Sequence, residues 1–353
     1  MKKFSTIFLG ATILFLLLWQ IPWLYSFITP SNTKTPFVLY SPVSEDFTFT
    51  GIVDNKSVHT DASGRVYSQR EIDSLHPVFY GRQLMSDGRF PDSIAGRAVS
   101  YKETQNDMFY FRHSPREMNA PQIGLYQLLE SKSGRVKLES SSDVFRITGR
   151  GIEFVEAQTN TLNREKSDLF TAAMTKKGFA FPACELSGNP SVKKDYDEGY
   201  LVLDAERKLY HLKQVKGRPY VRNIELPAGV RAEHVFITEF RNRETLGFMT
   251  DDQNRFYAIM AKDYTFRQLD IPSFDPENNS LMIYGMVFQW TLKVSSKQGV
   301  TYYVLNGDDF SLIRTFEEIR EESVASKIGE CLSKIGITFT DPLDKFVYPR
   351  IGG

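Results

Sequence analysis

The densest run of ionisable side chains is Asn189-Pro-Ser-Val-Lys-Lys-Asp-Tyr-Asp-Glu-Gly-Tyr200, where Lys193, Lys194, Asp195, Asp197 and Glu198 fall within six positions. His211 follows shortly after. Loops gathered at one end of a rigid β scaffold commonly carry binding groups, and on such a scaffold Lys194, Asp197, Glu198 and His211 would surround a ligand. The plainer reading of the same residues is a solvated loop with local ion pairs. Other chemistry finds less support. The five histidines (His59, His76, His113, His211, His234) show no i, i+2 or i+4 pair, and H-E-x-x-H is absent, so no metal site is expected. Asp251-Asp-Gln-Asn254 and Asn306-Gly-Asp-Asp309 lack the alternating ligand spacing of a calcium loop and read as Asx turns. Ser191-Val-Lys-Lys194 matches S-x-x-K without the companion S-D-N or K-T-G, and there is neither a G-x-S-x-G elbow nor a phosphate-binding loop. No catalytic set and no cofactor is expected.

The elements that would position these residues are mostly strands. After Pro36, short runs rich in β-branched and aromatic residues alternate with polar turns: Phe37–Tyr40, Phe47–Val53, Met108–Phe111, Val144–Thr148, Tyr200–Leu203, Leu209–Leu212, Val235–Thr238, Phe256–Ile259, Leu281–Tyr284 and Thr301–Leu305. The second half repeats. Asp204 to Asp251 and Tyr210 to Tyr257 are each 47 positions, Pro227 to Pro272 is 45, and Tyr303 lies 46 beyond Tyr257. A period near 45 residues holding about four strands is that of a propeller blade, although an irregular meander of hairpins produces similar spacing. The expected fold is therefore all-β and β-propeller-like, with about six irregular blades. Two helices interrupt it. Ser68-Gln-Arg-Glu71 has the capping-box spacing, with Pro77 breaking the run that follows. A second helix is expected over about 315–335, with Ile319, Val324, Ile328, Leu332 and Ile335 on one face packed on the last blade, followed by a docking segment from Asp341 to Ile351.

The N-terminus carries the clearest signal. Lys2 and Lys3 precede an apolar run from Phe4 to Ile28, and the next charge is Lys34. About 20 apolar residues span a hydrocarbon core, and lysines before but not after the run place the N-terminus in the cytoplasm. Residues 1–30 thus read as an uncleaved signal anchor with Trp19, Trp23 and Tyr25 at the outer membrane interface, and 31–36 as a linker to a folded domain over 37–353. A cleaved signal peptide is the competing reading, but the flank is bulky and offers no small-residue cleavage site. Lys and Arg together number 43, as do Asp and Glu, which argues against a nucleic-acid binder. Two cysteines, Cys184 and Cys331, exclude a disulfide framework and leave open whether the pair is bridged.

Several stretches resemble an uncharacterised bacterial family of membrane-anchored extracytoplasmic proteins: Phe111-Arg-His-Ser-Pro-Arg116, Pro121-Gln-Ile-Gly-Leu-Tyr126, Glu130–Val136, Gly178-Phe-Ala-Phe-Pro182, Gly188-Asn-Pro190, Lys194–Tyr200 and Leu209–Lys213. Members of that family are encoded beside ABC-transporter components and have no assigned catalytic residues. The resemblance implies a single-pass protein of the bacterial inner membrane, N-in with its domain in the periplasm or exterior. It also implies a non-enzymatic binding or scaffold role, with the lipid bilayer and membrane transport proteins as partners. The alternative is an exterior enzyme acting on glycans or envelope polymers; Thr60-Asp-Ala-Ser-Gly-Arg-Val-Tyr67 resembles a hairpin turn repeated in some sugar-active propellers.

Overall fold

The computed structural model describes residues 2–29, 36–119, 124–319, 324–339 and 350–351. The expected linker residues 31–35 and most of the expected docking segment lie outside them. Helix α1 (Lys2–Ile28) takes up the whole apolar run, with Pro22 inside it. Three hydroxyls in or next to it bond back to the helix: Thr12 to the Phe8 carbonyl (2.9 Å), Ser26 to that of Trp23 (2.8 Å) and Thr29 to that of Tyr25 (2.6 Å). Such internal pairing is what an apolar solvent demands of polar groups.

Beyond α1 the described residues form five antiparallel sheets of three or more strands, besides two short pairs, Ser93–Ile94 with Arg97–Ala98 and Ile337–Thr338 with Arg350–Ile351. The first comprises Phe37–Ser41, Asp46–Val53, Lys56–Asp61 and Val66–Tyr67; the second, Asp143–Thr148, Gly151–Glu156 and Thr161–Asn163. The third comprises Glu185–Gly188, Tyr200–Leu203, Leu209–Val215 and Arg218–Ile224; the fourth, Ala232–Ile237, Thr245–Asp251, Phe256–Met260 and Phe266–Gln268. The fifth holds Ser280–Gly285, Gln289–Ser295, Gly299–Asn306 and Leu312–Ile319, and gains Phe109–His113 at its edge, with Phe109 opposite Gly285 and His113 opposite Leu281. Otherwise sequence neighbours are sheet neighbours, the meander that short turns permit.

The sheets stack face to face through the period-2 alternation of strands. In Tyr200–Leu203, Tyr200 and Val202 enter the core shared with the second sheet, whereas Leu201 and Leu203 enter the core shared with the fourth. In Phe256–Met260, Phe256 and Ala258 face the fifth sheet while Tyr257 and Ile259 face the third. The fifth sheet turns Leu292 and Val294 toward the fourth, and Tyr302 and Val304 toward the first. Sheets buried on both faces explain the near-continuous apolar runs. The order in space is second, third, fourth, fifth, first, and no core cluster among the described residues joins the two ends of this row.

The expected repeat holds. Tyr210 and Tyr257 both lie on the third strand of their sheets, and Tyr303 on the third of the four consecutive strands of the fifth. Asp204 closes one turn by accepting the backbone N–H of Glu206 and Lys208 (both 2.9 Å), and Asp251 does the same with Gln253 (3.0 Å) and Arg255 (2.8 Å). Asp61 repeats the geometry with Ser63 (2.9 Å) and Arg65 (3.1 Å). The fourth residue of each turn, Gly64, Arg207 and Asn254, has φ of 84°, 62° and 59°. The shared pattern is Asp, three residues, a basic residue, an apolar residue, Tyr.

Two expectations need correction. Five sheets stand where about six blades were expected, because residues 69–118 are largely taken up by short helices: α2 (Gln69–Leu75), α3 (Gly81–Ser86), α4 (Tyr101–Asp107) and α5 (Pro115–Met118). Another helix, α6 (Arg164–Lys176), covers the second and third sheets with Phe170 and Met174. The capping box at Ser68 is present, with Ser68 N–H donating to Glu71 (2.8 Å). At the other end, Thr315–Ile319 is strand rather than helix: Phe316 lies opposite Tyr302 and packs on Phe47 and Phe49. The helix is the shorter α7 (Val324–Ile335), and it lies against α1 instead of the last sheet. Cys184 and Cys331 are separate free thiols.

Candidate functional site

The polar run before Tyr200 alternates in exposure, which decides its chemistry. Lys193 and Asp195 point to solvent, Tyr196 and Asp197 are buried, and Lys194 and Glu198 are half-buried. Backbone bonds pin it from outside the third sheet: Leu138 N–H to the Lys194 carbonyl and Asp197 N–H to that of Ser131, both 3.1 Å.

Lys194 stands at the centre. Its ammonium faces Asp197 Oδ2 at 2.9 Å and also meets the Glu239 carboxylate and the Asn189 carbonyl. Side-chain exposure is 17% for Lys194, 3% for Asp197 and 5% for Glu239. Glu239 in turn accepts the Glu198 N–H (2.8 Å) and the Asn189 amide (3.0 Å), and Gly199 N–H donates to Asp197 Oδ1 (2.6 Å). Two carboxylates therefore share one ammonium in a largely dry setting. Burial pushes both Asp197 and Glu239 above the ordinary carboxylate range, and the pull of Lys194 only partly offsets it. Because Glu239 follows the first strand of the fourth sheet, the cluster fastens the third sheet's loop to its neighbour. Tyr196 adds a bond from its hydroxyl to the Phe240 carbonyl (2.7 Å), and Arg243 lies over its ring at 3.8 Å.

Glu198 and His211 belong to an adjoining group. Lys213 pairs with Glu198 at 2.6 Å, and His211 Nε2 is 2.6 Å from the Glu198 carbonyl while Nδ1 is 2.9 Å from the Tyr264 hydroxyl. Burial lowers the His211 pKa to about 4, so the ring is neutral near pH 7. With the Glu198 carbonyl as acceptor, Nε2 carries the proton and Tyr264 donates to Nδ1. The structure thus brings Lys194, Asp197, Glu198 and His211 into one region, but directs them at one another and at backbone. Glu239, which completes the cluster, lies 45 residues from Lys194 and had no local signal.

A second sheet-to-sheet clasp is similar in kind. Glu185 accepts Val235 N–H (2.8 Å) and sits 3.0 Å from His234 Nδ1, while Ser187 accepts Ile237 N–H (2.9 Å). Burial opposes protonation of His234, yet the Glu185 carboxylate holds its pKa above the ordinary value. An open depression of about 780 Å³ lies beside α4, lined by Lys102, Glu103 and Arg241 among others. Among the described residues no group of three or more His, Cys, Asp or Glu side chains is arranged to hold a metal ion.

The aromatic residues of α1 divide by face. Trp23 is exposed and stacks on Phe27 (5.6 Å), whereas Trp19 meets Phe339 edge-on (5.2 Å) and the Tyr25 hydroxyl bonds the Ala325 carbonyl (2.8 Å).

No curated protein matches the chain. Among solved structures, it is 12% identical to the beta-propeller domain of Myceliophteria thermophila Cps50 (Swd1), with a TM-score of 0.29 over 56% of this chain and 57% of that one. It is also 12% identical to the Dos1 propeller, with a TM-score of 0.30 over 81% of this chain and 62% of that one. The chain spans less than two thirds of the length of either. The family described as Domain of unknown function (DUF4857) matches residues 37–305, from the first strand of the first sheet to the third of the four consecutive strands of the fifth, and the chain belongs to that family.

Proposed function

We propose that this protein is a single-pass, membrane-anchored, non-enzymatic binding or scaffold protein whose domain lies outside the cytoplasm and serves an ABC-type transport system. The observation that carries the reading is α1: 26 residues, Lys3–Ile28, apolar enough to cross a membrane, with no residue of its most apolar stretch buried. A soluble protein would cover such a helix. Lys2 and Lys3 at its start favour an N-in orientation. The face-to-face row of meander sheets supports a propeller-like domain. That Lys194, Asp197, Glu198 and His211 face one another, Glu239 and backbone favours a structural role for those side chains, so binding is assigned to the domain's surface. Purification of the native full chain in mild detergent tests this. Stoichiometric co-elution of membrane transport proteins supports it. A chain that elutes alone, or that hydrolyses envelope glycans, overturns it in favour of the enzyme reading.

A further inference from the structure

The loop of residues 130–138 is fastened at both ends to one end of the third sheet. At its start the Glu130 carboxylate accepts the Gln214 amide (2.7 Å) and the backbone N–H of Lys216 (2.8 Å) and Gly217 (2.6 Å). Ser131 N–H donates to the Gln214 carbonyl (2.9 Å). At its end Leu138 is buried and bonds the Lys194 carbonyl. Between them Ser133 Oγ donates to the Lys137 carbonyl (2.7 Å) and accepts the Arg135 N–H (3.1 Å). Lys216 and Gly217, with φ of 53° and 73°, close the tight turn between Leu209–Val215 and Arg218–Ile224. Three connections are thus held side by side: this loop, the polar run before Tyr200, and the Lys216–Gly217 turn.

Their outer surface is cationic and apolar together. Lys132, Lys137, Lys193, Lys216 and Arg218 are exposed, and among the described residues none of the five is in an ion pair. The carboxylates nearby are engaged elsewhere. Glu130 holds the turn, Asp197 and Glu239 face Lys194, Glu198 faces Lys213, and Glu139 is 3.5 Å from Arg135. Asp195 is left, exposed, against the five cations. Because the whole chain is neutral, this surplus is local. Amid it Val136 is 86% exposed, Val192 40% and Val215 41%. A fastened loop that presents apolar side chains among charges of one sign loses little entropy on binding and selects an oppositely charged partner.

Strand direction separates this surface from the anchor. Glu185 and Ser187 bond Val235 and Ile237, so the first strands of the third and fourth sheets run the same way. Arg267 with the Asp308 carbonyl (2.9 Å) and Arg314 with the Glu45 carbonyl (2.9 Å) carry the same end on to the fifth and first sheets. That end is where the first sheet's Phe37–Ser41 finishes, whereas α1 leads into it at Phe37, the opposite end. A bilayer holding α1 is therefore the disfavoured occupant, and an anionic glycan would leave the valines without apolar contacts. We infer that Lys132, Lys137, Lys193, Lys216 and Arg218, grouped around Val136, dock an acidic polypeptide segment of a partner protein. Its carboxylates meet the five cations and its apolar side chains cover the valines. The inference rests on the transport-accessory reading and names the surface through which that role is exercised.

Photo-cross-linking of the full chain in native membranes tests this. Val136→p-benzoylphenylalanine is the probe, and Leu162→p-benzoylphenylalanine, exposed on the second sheet, is the control. Mass spectrometry of the adduct reads the chemistry of what is captured. The expected result is an adduct at 136 with a polypeptide segment of net negative charge, absent at 162. Its yield should fall about tenfold in Lys132→Glu/Lys137→Glu, and also between about 0.1 and 1 M salt, where the screening length shrinks from about 10 to about 3 Å. Thermal melts accompany each variant, and Lys193→Glu, on a different connection, replaces the double variant if that one melts early. An adduct with lipid, with glycan or with a neutral or basic segment overturns the inference, as does a yield indifferent to charge reversal. No adduct at 136, while the unmodified chain still co-elutes with transport proteins, removes this surface and leaves the proposed function standing. Loss of both removes both.

Discussion

Replacing Lys194 by methionine keeps most of the side-chain volume while removing the ammonium that stands 2.9 Å from Asp197 and also contacts Glu239. At that distance a unit charge pair is worth about 6 kcal/mol gross at an effective dielectric of about 20. The desolvation of the ammonium, several kcal/mol, is recovered in the variant, so the net loss expected for one broken, mostly buried pair is about 3–5 kcal/mol. The loss should depend on pH. Both carboxylates are already pushed up by burial, and without Lys194 they rise further. A carboxylate whose folded pKa exceeds its unfolded value favours the folded state below the unfolded pKa, and that benefit disappears as pH climbs through the folded pKa. Urea melts of the full chain in detergent, wild type and Lys194→Met side by side at pH 5 and pH 7.5, should therefore show a larger gap at pH 7.5. Comparing the two proteins at each pH cancels the titration of all other groups. A gap that is the same at both values, or a variant as stable as wild type at pH 7.5, would refute the shared-ammonium account.

Acid should destabilise the wild type for a different reason. Burial holds His76 and His211 at about 4, so between roughly pH 6.5 and 4 the unfolded chain takes up protons that the folded rings refuse; the loss approaches about 3 kcal/mol for each, and a flat stability profile across that window would contradict it. In the core between the fourth and fifth sheets, Phe256 is fully buried and stacks on Phe248 at 5.2 Å, so Phe256→Ala should cost about 3–5 kcal/mol by chemical denaturation. A cost below 1 kcal/mol would mean that the two sheets do not share this core.

The sequence reveals what is local and periodic. Strands of alternating residues, the Ser68 capping box and the Asp204/Asp251 and Tyr210/Tyr257 repeat all follow from backbone geometry within a few residues, and all are present. A third copy of the turn, Asp61 to Tyr67, was visible as a hairpin resemblance without its connection to the other two. Helix α6 had a readable signal, an Asn163 cap and Phe170 with Met174 one turn on, that a search for strands passes over. The misplaced start of α7 has a plain cause. Ile319 extends the helical spacing of Val324 and Ile328, but Phe316 has aromatic partners on the first sheet that no local pattern reveals. The same holds for the polar cluster. Lys194, Asp197 and Glu198 stand out by density, whereas their burial depends on Glu239 and on backbone from Ser131 and Leu138, which are distant in sequence. Pairing of Phe109–His113 with the fifth sheet is non-local in the same way.

The account rests on α1 holding the full chain in a membrane. Alkaline carbonate extraction of native membranes, followed by N-terminal sequencing of the extracted and retained protein, tests that directly. The account predicts a chain that stays with the membrane pellet and begins at or next to Met1, with Lys2 and Lys3 still attached. A chain released into the supernatant, or a mature N-terminus beyond Tyr25, would contradict it.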